Sequence, residues 1–198
     1  MKKKGIILLL GILIISIPTS IFAGYYSIGL SNGGEDGGRG LSLEAGSRDI
    51  YFKNAGFLGR FQENRFLAAV ALMALDHEKG DIPPGTLAYP CPHSDCTSLG
   101  EIPEGIESGL LGKFGIELFG SNVYTSILQG ITHGHEVHLT RSNPTGDYHE
   151  QSSDTRLYYL YGISLGYFTE LFDWNLKLNI QIDYDNRRGM TGLIGWGW

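Results

Sequence analysis

The stretch Trp174-Asn-Leu-Lys-Leu-Asn-Ile-Gln-Ile-Asp-Tyr-Asp185 alternates without a break. Trp174, Leu176, Leu178, Ile180, Ile182 and Tyr184 are apolar or aromatic, while Asn175, Lys177, Asn179, Gln181, Asp183 and Asp185 are polar. Successive side chains of a strand point to opposite faces, so a period of two predicts a β-strand with one apolar and one strongly polar face. A sheet in water turns the apolar face to a core. A barrel in a bilayer turns it outward to lipid and gives the polar face to the lumen. Alternation by itself fits both.

The same period recurs on both sides of this stretch. Thr155–Thr169 sets Leu157, Tyr159, Tyr161, Ile163, Leu165 and Tyr167 against Arg156, Gly162, Ser164 and Gly166, with Tyr158 and Leu160 blurring the second face. Gly109–Phe119 sets Leu110, Phe114, Ile116 and Leu118 against Lys113, Gly115 and Glu117. Gly40–Arg48 sets Leu41, Leu43 and Ala45 against Ser42, Glu44, Gly46 and Arg48, and Tyr26, Ile28 and Leu30 begin the series. In Asn122–Leu139, Gln129 falls on the parity of Val123, Ile127 and Ile131, which predicts a bulge there. Phe66–Leu75 is apolar throughout and rich in helix formers; it is read as a strand because a closed antiparallel barrel needs an even count. The expected fold is all-β, a closed antiparallel up-and-down transmembrane β-barrel of about eight strands.

The first residues give the chain its address. Lys2, Lys3 and Lys4 precede an uncharged run from Gly5 to Ile17, then Pro18, Thr19, Ser20 and the small Ala23 before Gly24. A basic start, an apolar centre and a small residue at the end predict a cleaved signal peptide over 1–23, with the barrel domain spanning 24–198. With it go three Lys, so 15 basic residues become 12 against 21 acidic ones, and the formal charge moves from −6 to −9. So acidic a domain is not built for nucleic acid.

At the other end Met190, Gly192, Ile194, Trp196 and Trp198 share one parity. This resembles the last strand of bacterial outer-membrane barrels, whose final aromatic residue is read by the assembly machinery; that family ends most often in Phe, here replaced by Trp198. Trp196 and Trp198 are therefore the expected assembly signal. In overall pattern the chain resembles the eight-stranded OmpA-transmembrane-domain, OmpX and OmpW group. The resemblance implies a monomeric barrel in the outer membrane of a Gram-negative cell, in contact with membrane lipid and lipopolysaccharide. The group's roles range over envelope stabilisation, surface adhesion and passage of small or hydrophobic molecules, and fold does not choose among them.

Short periplasmic turns and long outer loops characterise such barrels. Gly33–Gly38, Asp76–Ser108, Arg141–Asp154 and Asn186–Gly189 are the expected outer loops. Gly120–Asn122, Glu170–Asp173 and the longer Asp49–Asn64 link fall at the other end. That topology gathers Phe119, Tyr124, Tyr167, Phe168, Phe172, Trp174, Trp196 and Trp198 into an expected periplasmic aromatic girdle.

Candidate functional residues fall into four groups. Glu44, Arg48, Lys113, Glu117, Arg156, Lys177 and Asp183 are expected to fill the lumen as an ionic plug, since an eight-stranded barrel is just wide enough for its own side chains. A narrow pore is the competing reading. Cys91 and Cys96, the two cysteines of an exported chain, are expected to form a disulfide; with His93 they lack the spacing of a zinc site. His133 and His135 share one face of a strand and are weak candidates for a transition metal, and with Ser126 and Glu136 they supply the residue types of lipid A-modifying enzymes. Ser126 lies on the opposite parity, so no nucleophile–base pair is implied. Arg187 and Arg188, at the tip of the last hairpin, are candidates for lipopolysaccharide phosphates. The reading is a non-enzymatic barrel without cofactor, with an envelope-structural or surface-interaction role.

Overall fold

The computed structural model describes residues 24–32, 39–50, 65–77, 82–92, 94–171 and 176–198. They form eight antiparallel strands, β1 (Gly24–Ser31), β2 (Arg39–Ile50), β3 (Phe66–His77), β4 (Cys96–Leu118), β5 (Val123–Ser142), β6 (Tyr148–Leu171), β7 (Leu176–Asp185) and β8 (Gly189–Gly197). Each strand pairs with its neighbours in sequence, and β8 returns to pair with β1, from Tyr25 opposite Gly197 to Ser31 opposite Thr191. The fold is an eight-stranded up-and-down β-barrel, closed without a free edge over the length that all strands share. The expected leader 1–23, together with Phe172 and Trp174, lies outside the described residues.

Alternation becomes inside and outside. On β7 Asn179, Gln181, Asp183 and Asp185 are buried, whereas Ile180, Ile182 and Tyr184 are exposed. β3 is a strand despite its helix-forming composition, because pairing with β2 and β4 overrides propensity. Both of its faces are apolar for a reason visible inside: Ala71, Met73 and Leu75 meet Leu111, Leu128 and Leu160 in one buried cluster. The lumen thus holds this apolar cluster beside an ionic network in which Lys113 of β4 reaches Glu44 of β2 and Asp183 of β7.

Three expectations are corrected. Gln129 makes no bulge; it faces outward between Ile127 and Ile131 and sits opposite Gly112 and Tyr161, while the irregularity of β5 lies at His138/Leu139. The expected girdle loses Tyr124 and Phe168, which point inward; the Phe168 ring meets Tyr124 and Tyr25 edge-to-face at centroid distances of 5.4 and 5.1 Å. The largest correction is to the outer loops. β4 begins at Cys96 rather than Gly109, and β6 at Tyr148 rather than Thr155, so half of two expected loops is sheet.

β4, β5 and β6, of 23, 20 and 24 residues, therefore outrun their neighbours. β3 ends at His77 opposite Gly105, and β7 ends at Asp185 opposite Gly162. Beyond those rungs the three strands continue as a twisted sheet that leaves the barrel. There β4 and β6 each pair with β5 alone among the named strands. Pro103 is tolerated on the β4 edge because its missing N–H would face no partner. Gly100 (φ 99) and Gly105 (φ 77) take the left-handed conformations that the two register shifts of β4 require.

Candidate functional site

The ionic network of the lumen is built in tiers. At its centre the Lys113 ammonium, whose three N–H groups need three acceptors, lies 2.7 Å from Glu44 and 3.0 Å from Asp183 and donates to Gln181 Oε1 at 2.7 Å. Gln181 Nε2 donates on to Glu44 at 2.8 Å, and below it Asn179 Nδ2 donates to Ser27 Oγ at 2.8 Å. Period two along β7 brings Asn179, Gln181 and Asp183 to one wall of this network, and β2 and β4 supply Glu44 and Lys113 from across the lumen.

The outer mouth is closed by the turn that joins β7 to β8. Asp185 Oδ1 accepts from the backbone N–H of Arg187 (3.0 Å) and of Arg188 (2.7 Å), a side-chain-capped turn that curls both arginines over the lumen. Arg188 Nε donates to Asp185 at 2.6 Å, and its other nitrogens reach Ser42 (2.9 Å) and Asp183 (3.2 Å). Arg187 grips Glu107 with two nitrogens, at 3.0 and 2.5 Å, with its guanidinium 4.1 Å from the Tyr158 ring. Glu107 in turn lies 3.0 Å from His77 Nε2. The sequence placed Arg187 and Arg188 outside, against lipopolysaccharide; the structure corrects this, because two buried carboxylates at the strand end draw them in.

Arg156 and Lys177 also depart from the expected plug. Arg156 lies above the rim, with no β7 wall opposite it, and spans Glu101 (2.5 Å) and Glu136 (3.1 Å) on the projecting sheet. The hydrogen bond to Glu101 holds its guanidinium above the ordinary value. Lys177 sits at the opposite mouth, 3.5 Å from the exposed Glu170. Arg48 and Glu117 are buried near that mouth. Arg48 lies over the Phe168 ring at 5.1 Å and 3.8 Å from Asp49, and Glu117 pairs with Arg65. Partial burial draws the Arg65 guanidinium down, but the Glu117 hydrogen bond and the nearby acids outweigh it and hold Arg65 above its usual range.

Sequence reasoning missed Glu107, His77 and Asp49 as members of the network. Glu107 fell in a segment read as loop, and parity says nothing until the strand is recognised. Asp185 and Gln181 were already on the polar face of β7.

The projecting sheet carries the remaining candidates. Cys91 and Cys96 form a disulfide with a Cα–Cα distance of 6.7 Å at the foot of β4's free end. Beside it Asp95 accepts from Asn143 Nδ2 at 2.6 Å, which ties this loop to the tip of the β5–β6 hairpin. Leu87 bonds to the backbone of Tyr148 and Glu150, each at 2.9 Å, and covers part of the β6 edge. His133 and His135 face outward, Ser126 faces the lumen, and His138, on the other face, meets Ser98 at 3.1 Å. Among the described residues no group of three or more His, Cys, Asp or Glu is arranged to hold a metal. Trp196 and Trp198 point outward on β8, with Trp198 packed beside Tyr26 at 5.5 Å.

These features define a small closed β-barrel with an apolar exterior, an ion-filled interior and a three-stranded projection at one end. No protein-family model matches the chain, and neither does any curated protein. Among solved structures it is similar to Ail, the attachment invasion locus protein of Yersinia pestis, crystallised with the heparin analogue sucrose octasulfate. The identity is 15%, the TM-score 0.33, and the match covers 89% of this chain and 97% of that one.

Proposed function

We propose that the chain is an integral outer-membrane β-barrel of a Gram-negative cell, exported through its 1–23 leader, whose projecting sheet meets partners at the cell surface. One observation carries the reading, the inversion of burial. Ser164 and Asp183 form a rung inside the barrel and are buried, while on the next rung Ile163 and Tyr184 face outward with 64% and 62% of their surface exposed. Repeated around the ring, this leaves a predominantly apolar wall that water would not solvate and that hydrocarbon would. Closure satisfies the backbone of every strand at that level, as a bilayer demands. Membrane lipid and lipopolysaccharide are then the solvent of the exterior, and the outward Trp196 and Trp198 are the surface offered to the barrel assembly machinery.

The role is non-enzymatic. The network fills the lumen from Glu107 to Asn179, which favours a plug over a pore; planar bilayers that show no discrete conductance steps are the expected result. The projection bears Asp95, Glu101, Glu104, Glu136, Asp147 and Asp154 against Arg141 and Arg156, a surface suited to a basic partner. Heat-modifiability in detergent gels tests the barrel, with a folded band that shifts only on boiling; a single position with and without boiling overturns it. Binding of a cationic polypeptide to whole cells, abolished by salt and by proteolytic removal of the projection, tests the role. Binding that survives removal refutes it.

A further inference from the structure

Most histidines among the described residues are engaged. His77 meets Glu107, His138 meets Ser98, and the His149 ring lies against Tyr89. His133 and His135 differ: both are exposed on the outward face of β5, and neither has a hydrogen bond or ion pair among the described residues. Strand geometry puts positions i and i+2 on one face, about 6.8 Å apart. An ion held by two imidazoles at about 2.0–2.1 Å each needs their ring nitrogens about 3 Å apart, a separation that two rings leaning toward each other reach.

The backbone that carries the pair is seated from within. Gly134 is buried between them, and a Cβ there would stand 3.2 Å from the Tyr158 ring and 3.4 Å from Glu107 Cγ. Tyr158 and Glu107 are in turn held by Arg187, so the mouth network fixes the strand and lowers the ordering cost of a ligand on its outer side. The pair also has a definite height. Val123 begins β5, and the run from there to His133 climbs about 26 Å at about 3.4 Å per residue and a tilt of about 40°. The apolar band of such barrels is about 25 Å tall, which puts both imidazoles at the outer rim. β3 ends at this level, with His77 opposite Gly105, close beyond Ser108, the β4 partner of His133.

We infer that His133 and His135 chelate one divalent transition-metal ion. Neutral imidazole suits Cu2+, Ni2+ and Zn2+, and a plain nitrogen site ranks Cu2+ above the other two. Among the described residues no third His, Cys, Asp or Glu converges on the pair, so water completes the coordination. Glu104, opposite His135 on β4, adds negative potential that draws cations. The rim position rests on the outer-membrane reading; the chelate needs only the folded barrel.

The test uses the full chain without an affinity tag, folded in detergent, with CuCl2 as the probe in a non-chelating buffer near neutral pH. Calorimetric titration should give one Cu2+ per chain, with Ni2+ and Zn2+ weaker, and paramagnetic resonance should show hyperfine structure from two nitrogens. The second imidazole acts at millimolar effective concentration or more, so His133→Gln and His135→Gln should each weaken Cu2+ by about tenfold or more. His138→Gln, on the other face, should match the wild type. The gel shift on boiling is read on every sample, and a chain that never shows it overturns the barrel and the chelate with it. A folded wild type that binds no Cu2+, one ion shared by two chains, or single variants that bind like the wild type overturn the chelate alone.

Discussion

Replacing Lys113 with Met isolates the charge balance of the lumen. Lys113 is 1% exposed and its partners Glu44 and Asp183 are 0% exposed, so solvent screens nothing. The central network holds three acids, Glu44, Asp183 and Asp185, against Lys113 and Arg188, a formal charge of −1. Lys113→Met takes it to −2 and strips Glu44 and Asp183 of their shared cation. Breaking a buried pair by removing one partner costs about 3–5 kcal/mol, because the other charge stays buried. Adding Glu44→Gln restores −1 and leaves Asp183 paired with Arg188, so the double variant should recover more than half of the loss. Guanidinium titration in detergent, followed by the gel shift between folded and unfolded bands, reads both. If Lys113→Met falls within about 1 kcal/mol of wild type, or Glu44→Gln adds to its cost, the interior is wet and the plug is not a charge-balanced solid.

Ile180→Arg on the outward face of β7 should destabilise the inserted barrel by about 2–4 kcal/mol, measured by the same titration in vesicles; a neutral outcome would mean that this face meets water. Cys91 and Cys96 should resist alkylation under denaturing, non-reducing conditions. Changing both to Ser should leave the unfolding midpoint unaltered, since the bridge lies beyond the barrel, while digestion of the 82–95 segment quickens. Trp198→Ala should lower the amount inserted in the outer membrane with export intact; on packing alone the loss is at most about 3 kcal/mol, and normal insertion yield would leave packing as its whole role.

The barrel was legible because its exterior and interior differ in polarity, and strand parity converts that difference into a pattern. The projection was not, for the same reason reversed. Thr97 to Glu104 and Glu150 to Asp154 are exposed or half-buried on both faces, so they carry no alternation, and their strand character comes from long-range pairing with β5. Asp183, Gln181 and Lys113 could be assigned to the lumen from parity alone. Arg156 could not, because parity fixes the side of a strand and not the height along it. Arg187 and Arg188 were misplaced by the habit of sending turn charges to solvent, where the decisive fact was a nearby pair of carboxylates that needed them.

The seam between β1 and β8 also sets an order of assembly. The β4–β5 and β5–β6 hairpins join residues close in sequence, whereas Tyr25 must find Gly197 from the far end of the chain. Ring closure bears the largest loop entropy and rewards it last. The inward surface at the seam is tightly packed, with glycines where the strands come closest, beside Tyr25, Ser27, Thr191 and Leu193. Gly29, Gly195 and Gly197 lie on it, and a Cβ on Gly195 would meet the Tyr26 carbonyl oxygen at 2.0 Å. The glycines thus let the two backbones close on each other where any larger side chain would hold them apart. Pulsed hydrogen exchange should protect the seam amides after those of β5, and Gly195→Val should slow closure while the hairpins form at their normal rate.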